Sequence, residues 1–493
     1  MLSLLVLLAL GGCSSAGRQP EAAGKEDSTQ NQNGQETELD DDIALPGLKE
    51  AEGTTLDLSQ YPDGVRISKA GSYTLSGTTS SPVVIEADKE DVILNLQAVT
   101  IRTDGLPALF VRSAGSVSLK VSGQNVMETN GTAQYEALNA ALYSKDDLSI
   151  QGDGNLKITA GYGHAIKAKD SLDVDETSLT LDGAEDGIHI NETGSFHGGS
   201  LSITSMDEGI QSEGDLLFDG SSVSITAGGD GIKAENELKV EQGTLTINSG
   251  SEGMESKNTL AIAGGTISIQ AVDDGLNAAS SLSISGGDVS AISSSNDGID
   301  SNGDLLLSGG TVTASGIHSP ELAFDTDNPP FEITGGTIIG LGSMGLSPTK
   351  MDQNVIEINV NSLQSVKLVQ NGQTLLDWSA PEGMKGQSGV LTLSVSGLQE
   401  GDAVLTINGE DQTLTISEGL TQVGQIATMG GQGGMNGGPG QRPDGGEPFQ
   451  EEMPGDSESS GRPGGPGNRR PGGRGQEDTN SSATESSGSG ESL

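Results

Sequence analysis

The chain has 493 residues, 32% hydrophobic but only 2% aromatic, with 75 glycines, so its core has to be aliphatic and thin. Seventy acids against 24 Lys and Arg give a formal charge of −46. That charge excludes nucleic acid as a partner, disfavours acidic membrane surfaces and favours multivalent cations.

The first residues, "MLSLLVLLALGGCSSAG", hold an apolar run from Leu2 to Leu10 that is too short to span a bilayer and leads into Gly11, Gly12 and Cys13. This resembles a bacterial lipoprotein signal over 1–12, with cleavage before Cys13 and a diacylglycerol on its sulfur. No Lys or Arg precedes the run. A plain secretory signal with a stray cysteine is the alternative. The reading implies a lipid-anchored protein on the extracellular face of a bacterial membrane or the cell surface. Residues 13–45, including "GKEDSTQNQNGQETELDDD", have no apolar period and read as a disordered tether.

Strand patterns follow. "GVRISKAGSYTLSG" and "PVVIEADKEDVILNLQAVTI" read as opening turns and a cap over the first open edge. "PALFVRSAGSVSLKV" at Pro107, "AALYSKDDLSI" at Ala140 and "HAIKAKDSLDV" at His164 align with the later "DGIKAENELKV". From there a repeat dominates. Gly187, Gly209, Gly231, Gly253, Gly275 and Gly298 are 22, 22, 22, 22 and 23 residues apart. A second ladder, Gly199, Ser221, Gly243, Gly265, Gly287 and Gly310, keeps the same steps, with an apolar residue two positions on: Leu201, Val223, Leu245, Ile267, Val289 and Val312. A third runs through Leu172, Leu216, Leu238, Leu260, Leu282 and Leu305.

Each rung thus offers three short pieces of period-two alternation, such as "GIKA", "ELKV" and "TLTI". None is long enough for a helix at a 3.6 period. A parallel β-helix of about 22-residue rungs is the consistent fold, with equivalent side chains stacked about 4.8 Å apart. It is assigned to 46–345. Pro329 and Pro330 interrupt it before "FEITGGTIIGLGSMG". "VKLVQNGQTLLDW" and "LTLSVSGLQEGDAVLTINGEDQTLTIS" read as hairpins of a small C-terminal β cap over 346–428. Residues 429–493, rich in Gly, Pro and charge, read as a disordered tail.

The ordered set "ISKAGSYTLSG", "VILNLQAVTI", the recurrent "DGI", "GGTIIGLGSMG" and "GLQEGDAVLTING" resembles the bacterial carbohydrate-binding domain family of right-handed parallel β-helices, from Gly53 to Ser417. That family includes calcium-binding proteins that attach to cellulose and polygalacturonate. The resemblance implies an all-β, right-handed parallel β-helix and a secreted or surface-attached glycan binder with bound calcium.

The residues before the first glycine ladder are Asp186, Glu208, Asp230, Glu252, Asp274 and Asp297, one acid per rung. Acid–Gly as a simple turn, with Gly at positive φ, explains Asp but not Glu, which is too long for that turn. Stacked carboxylates repel unless neutralised, and calcium takes six to eight oxygens with an opposed pair about 5 Å apart, near one rung step. The ladder, with Asp273 and Asp300, is therefore the candidate calcium site; Asn277 and Asn296 could add ligands. A solvated, partly protonated acidic stripe remains the alternative.

Calcium with open positions would let an acidic protein hold a uronate-type or plant cell-wall polysaccharide as a monomeric, non-catalytic binder. Tyr135, Tyr143, Tyr162 and Trp378 are the aromatics that could stack on sugars, Trp378 having a cap role instead. A polysaccharide lyase is the runner-up, with Lys167, Lys233 or Lys257 as base or as charge compensation. A surface adhesin or spacer is the third reading. The histidines His164, His189, His197 and His318 share no metal spacing, although His164 and His189 lie on neighbouring rungs.

Overall fold

The computed structural model describes residues 43–45, 47–326, 330–346 and 348–427. The signal segment with Cys13, most of the tether and the 429–493 tail lie outside the described residues. Among the described residues the chain is all-β, with a single 3-10 turn at Leu58–Gln60. No helix there is long and apolar enough to cross a membrane.

The chain winds into a parallel β-helix. Thirteen parallel strands stack on one face, from Lys49–Glu50 to Phe324–Thr326. Two further faces carry the rest of each rung, and the strands Leu216–Ala227 and Glu237–Ser249 run continuously round the corner between them. The weaker early rungs join in register, since Ala140 pairs with His164 and Ile166 with Ile188. The segments expected as opening turns and a cap are opening turns: Val65–Ile67 and Val83–Glu86 stack on the first face.

Alternation gives the coil its interior. On the first face Ile166, Ile188, Ile210, Ile232, Met254, Leu276 and Ile299 stack with essentially no exposure. On the third, Leu201, Val223, Leu245, Ile267, Val289 and Val312 do the same. The leucine ladder has a gap at Gly194, which pairs with both Leu172 and Leu216. Phe196 fills the space two residues on, its ring stacked on Phe218 at 4.9 Å between centroids.

The prolines at 329 and 330 do not interrupt the coil. Phe331–Ile333 pairs with Asp304–Leu307, and Thr337–Gly342 with Thr311–Gly316, both parallel. Pro329 lies outside the described residues, and most of the added length of this rung falls before Phe324, since Ile299 pairs with Phe324 and Leu305 with Phe331. The cap also differs from two simple hairpins. Gly389–Val395, which contains "LTLSV", lies antiparallel on Thr337–Gly342 and covers the coil's last edge. Ser365–Gln370 with Gln373–Ser379, and Gly401–Ile407 with Glu410–Ile416, form hairpins in a separate four-stranded sheet.

Candidate functional site

The acid of each rung sits at the corner that leads into the first face. Its glycine is required by crowding rather than by φ. A Cβ on Gly231 would lie 2.3 Å from Ile247 Cγ2 and 2.5 Å from the Gly253 carbonyl oxygen, and Gly187, Gly209 and Gly253 meet equivalent contacts. None of the four has positive φ, so the simple Asp–Gly turn with a left-handed glycine does not describe this corner. Positive φ belongs to the second ladder, for example Gly243 at 122° and Gly265 at 90°.

This corner is not a solvated stripe. Asp186, Asp230, Asp274 and Asp297 are only 2, 4, 4 and 6% exposed, while Glu208 and Glu252 are half-buried. Asp186 Oδ1 accepts the backbone N–H of Glu208 at 3.2 Å, Asp230 Oδ1 that of Glu252 at 3.2 Å, and Asp274 Oδ1 that of Asp297 at 2.9 Å. Asp297 Oδ1 in turn accepts the Leu322 N–H. The aspartates are thus structural acceptors for orphan amides between rungs.

Charge is handled differently along the ladder. Burial would raise Asp186, but hydrogen bonds to His164 and His189 hold it well below the usual carboxylate range. Asp230 is likewise held low against burial, by Glu252 and by Lys233, whose Nζ lies 3.1 Å from Asp230 Oδ2. Burial and the neighbouring Asp186 push Glu208 up to about 8, and burial and Asp230 push Glu252 up to about 7. Asp274 rises to about 8 through burial and the carboxylates Asp300, Asp297 and Asp273. Asp297 rises to about 7 through burial, Asp325, Asp300 and Glu321.

The two ends of the ladder therefore differ. At the later end, ligand oxygens of Asp297, Asp300 and Asp325 lie within 4.8 Å of one another. Asp300 and Asp325 pair in register on the first face. Asp325 is absent from the sequence-based set because Leu322 takes the acid's place on its rung, which hides the repeat. Asp273 is half-buried beside Asp274. Asn277 Nδ2 donates to Asp274 Oδ2 at 3.2 Å, so its amide nitrogen faces the ladder rather than its oxygen. At the earlier end the structure joins His164 and His189 to Asp186. The signal for this was present, since aligning "HAIKAKDSLDV" with "DGIKAENELKV" puts His164 in the acid's column.

The lysines are occupied. Lys233 bridges Asp230 and Glu255, at 3.1 and 3.3 Å, which raises its pKa despite burial; Lys257 pairs with Glu255; Lys167 is buried. Tyr143 is not available to sugars: it is fully buried, edge-on to Phe110. Its strand faces the coil's N-terminal packing, where Ile43 and Leu45 cover it. Tyr135 is half-buried with its hydroxyl donating to the Ala44 carbonyl, Tyr162 is half-buried, and Trp378 packs against the cap core.

A parallel β-helix with a buried carboxylate column defines a class of repeat-built solenoid protein. The chain matches the family described as carbohydrate-binding domain-containing protein over residues 62–298 and 251–440, and it belongs to that family. A relative from Acetivibrio thermocellus with the same description is 27% identical over 189 residues, 36% of this chain and 62% of the relative. The chain thus spans less than two thirds of the relative's length. A solved polysaccharide lyase-like protein from C. thermocellum, a gadolinium derivative, is similar over 50% of this chain and 86% of that one, at 24% identity and a TM-score of 0.30.

Proposed function

We propose that this chain is a non-catalytic, calcium-dependent polysaccharide-binding protein, held at the cell surface through Cys13 and recognising an acidic, uronate-type or plant cell-wall glycan. Membership of the carbohydrate-binding family supports the polysaccharide partner. The observation that carries the calcium reading is the convergence of Asp297, Asp300 and Asp325 at one end of the buried ladder. The donors fit the ion: all are hard carboxylate oxygens, and burial with neighbouring acids raises Asp297 and Asp274, which a bound cation would offset. Asp297, Asp300 and Asp325 would hold it, with Asp274 and Asp273 behind them. A bound calcium supplies open positions that a uronate carboxylate or vicinal hydroxyls can fill.

Lyase chemistry is supported less. A base needs a lysine that gives up its proton near neutrality, whereas Lys233 is pushed the other way by Asp230 and Glu255. The test is a glycan array probed with the full chain, with and without chelator. Binding to uronate polymers that chelator abolishes is the expected result; chelator-resistant binding sinks the calcium part, and release of unsaturated uronate sinks the non-catalytic part. Cys13→Ser should move the protein out of the membrane fraction.

A further inference from the structure

At its earlier end the ladder begins with a histidine instead of an acid. His164 occupies the acid column one rung before Asp186, and His189 lies three residues after Asp186, opposite Lys167 in the strand register. Both imidazoles converge on a single oxygen. His164 Nδ1 is 3.1 Å and His189 Nδ1 2.9 Å from Asp186 Oδ2, and the rings lie 4.7 Å apart between centroids, tilted by 33°. His164 and Asp186 are buried, and His189 is mostly so, with its side chain 16% exposed.

We propose that His164, Asp186 and His189 form a site for a borderline divalent transition metal of the zinc class, separate from the calcium site proposed above. The donor set is two imidazole nitrogens and one carboxylate oxygen, which zinc accepts and calcium does not favour. The two N···Oδ2 distances are close to what the ion needs: bonds of about 2.0–2.1 Å in a tetrahedron set ligands about 3.3 Å apart, so these two open by a few tenths of an ångström to admit one.

The surroundings orient the donors as outer-shell partners do. Asp186 Oδ1 is tied to the Glu208 N–H at 3.2 Å, which leaves Oδ2 for the ion. Glu185 Oε2, 3.4 Å from His164 Nε2, can accept its N–H and leave the Nδ1 lone pair, which accepts the Asp186 backbone N–H at 3.3 Å in the metal-free state, to turn to the ion. The half-buried Glu208 and exposed Asp207 each place a carboxylate oxygen within 4.8 Å of one of Asp186, so either could serve as a fourth ligand. The ion would clasp two successive rungs. That is also where the step between first-face strands shortens from Ala140–His164 to the regular Ile166–Ile188 spacing.

The experiment is calorimetric titration of the chelator-stripped full chain with zinc, and visible absorption with cobalt, in the native sequence and in Cys13→Ser so that the sole thiol is not counted. One zinc per chain, a four-coordinate cobalt spectrum and no displacement by excess calcium are expected. His189→Ala, at the most exposed of the three positions, and His164→Gln should each weaken zinc by at least roughly tenfold. His197→Ala should leave it unchanged. The absence of zinc uptake, or equal uptake by His189→Ala, overturns the site and shows a hydrogen-bonded His–Asp–His cluster only. If His164→Gln does not fold, His189→Ala decides. Calcium uptake, read separately at Asp300 and Asp325, is untouched by either outcome.

Discussion

Asp230 and Glu252 stand one above the other on successive rungs, and Asp230 Oδ1 accepts the Glu252 backbone N–H at 3.2 Å. Asp186 with Glu208 and Asp274 with Asp297 repeat the bond. At Asp186, Asp230, Asp274 and Asp297 the carboxylate is therefore kept because the corner strands an amide that no strand neighbour satisfies. Repulsion is limited by His164, His189 and Lys233 at two steps, and elsewhere it falls on groups that burial and neighbouring acids push toward protonation.

Asp230→Ala should cost about 1–3 kcal/mol, since it leaves a buried N–H without an acceptor. Asp230→Asn keeps an oxygen in place and should cost less, losing mainly the contact with Lys233, which retains Glu255. Urea denaturation of both variants checks the order. If Asn is as damaging as Ala, the charge rather than the acceptor is what the corner needs.

The pH dependence follows from the same residues. Glu208 and Asp274 rise to about 8, and Glu252 and Asp297 to about 7. A folded pKa above the unfolded value means that the native state holds the proton more tightly. The stability this gives is complete below the unfolded pKa and is lost as pH rises to the folded value. Asp186 and Asp230, held low, contribute in the opposite sense and lose their contribution only as pH falls below the ordinary carboxylate range. Calcium-free protein should therefore melt at progressively lower temperature between about pH 5 and pH 8. Scanning calorimetry in chelator reads this directly, and a melting temperature that stays flat or climbs over the interval would mean that these carboxyls are not raised in the folded state.

The coil was legible because its period is strict: a 22-residue step carried by glycine and aliphatic ladders has no helical reading. The acid column was legible for the same reason. Its chemistry was not, because whether a carboxylate at Asp230 is solvated, bonded to an amide or paired depends on burial and on Lys233 three residues away. The His164–Asp186–His189 cluster is invisible to histidine spacing along the chain, because its members meet across successive rungs of the coil. Asp325 was missed because the rung between Asp300 and it is longer than 22 residues. Tyr143 looked exposed because a buried aromatic on an outward position needs the N-terminal segment Ile43–Leu45, which no repeat announces.

Gly231→Ala tests why the glycine accompanies the acid. Its Cβ would meet Ile247 Cγ2 at 2.3 Å and the Gly253 carbonyl, and the carbonyl belongs to the stacked backbone, which cannot move without its neighbours. A loss of about 1–3 kcal/mol is expected, as for overpacking in a dense interior. Gly220→Ala offers the contrast, because positive φ without a close contact strains the backbone alone. Thermal melts of the two variants with calcium present and absent separate crowding from any effect on the ion, and a Gly231→Ala protein as stable as wild type would place the next rung farther away than described.

Calcium itself should discriminate between the parts of the ladder. Asp230 already has Lys233, whereas burial and carboxylate neighbours weigh on Asp297, so the proposed calcium site is Asp297, Asp300 and Asp325. Asp300→Asn with Asp325→Asn should abolish calcium uptake in calorimetric titration while leaving the fold, because amides keep the shape and remove the charge. Asp230→Asn with Glu252→Gln should reduce it far less. Binding the native state alone stabilises by RT ln(1 + [L]/Kd), about 2.7 kcal/mol at a roughly hundredfold excess over Kd, so calcium should raise the wild-type melting temperature and not that of the Asp300/Asp325 double variant. Magnesium should do less, since it demands smaller octahedral geometry and sheds water reluctantly. Equal calcium affinity in wild type and in the Asp300/Asp325 variant would remove the ion from this end of the coil and leave the carboxylates as protonated acceptors for the backbone.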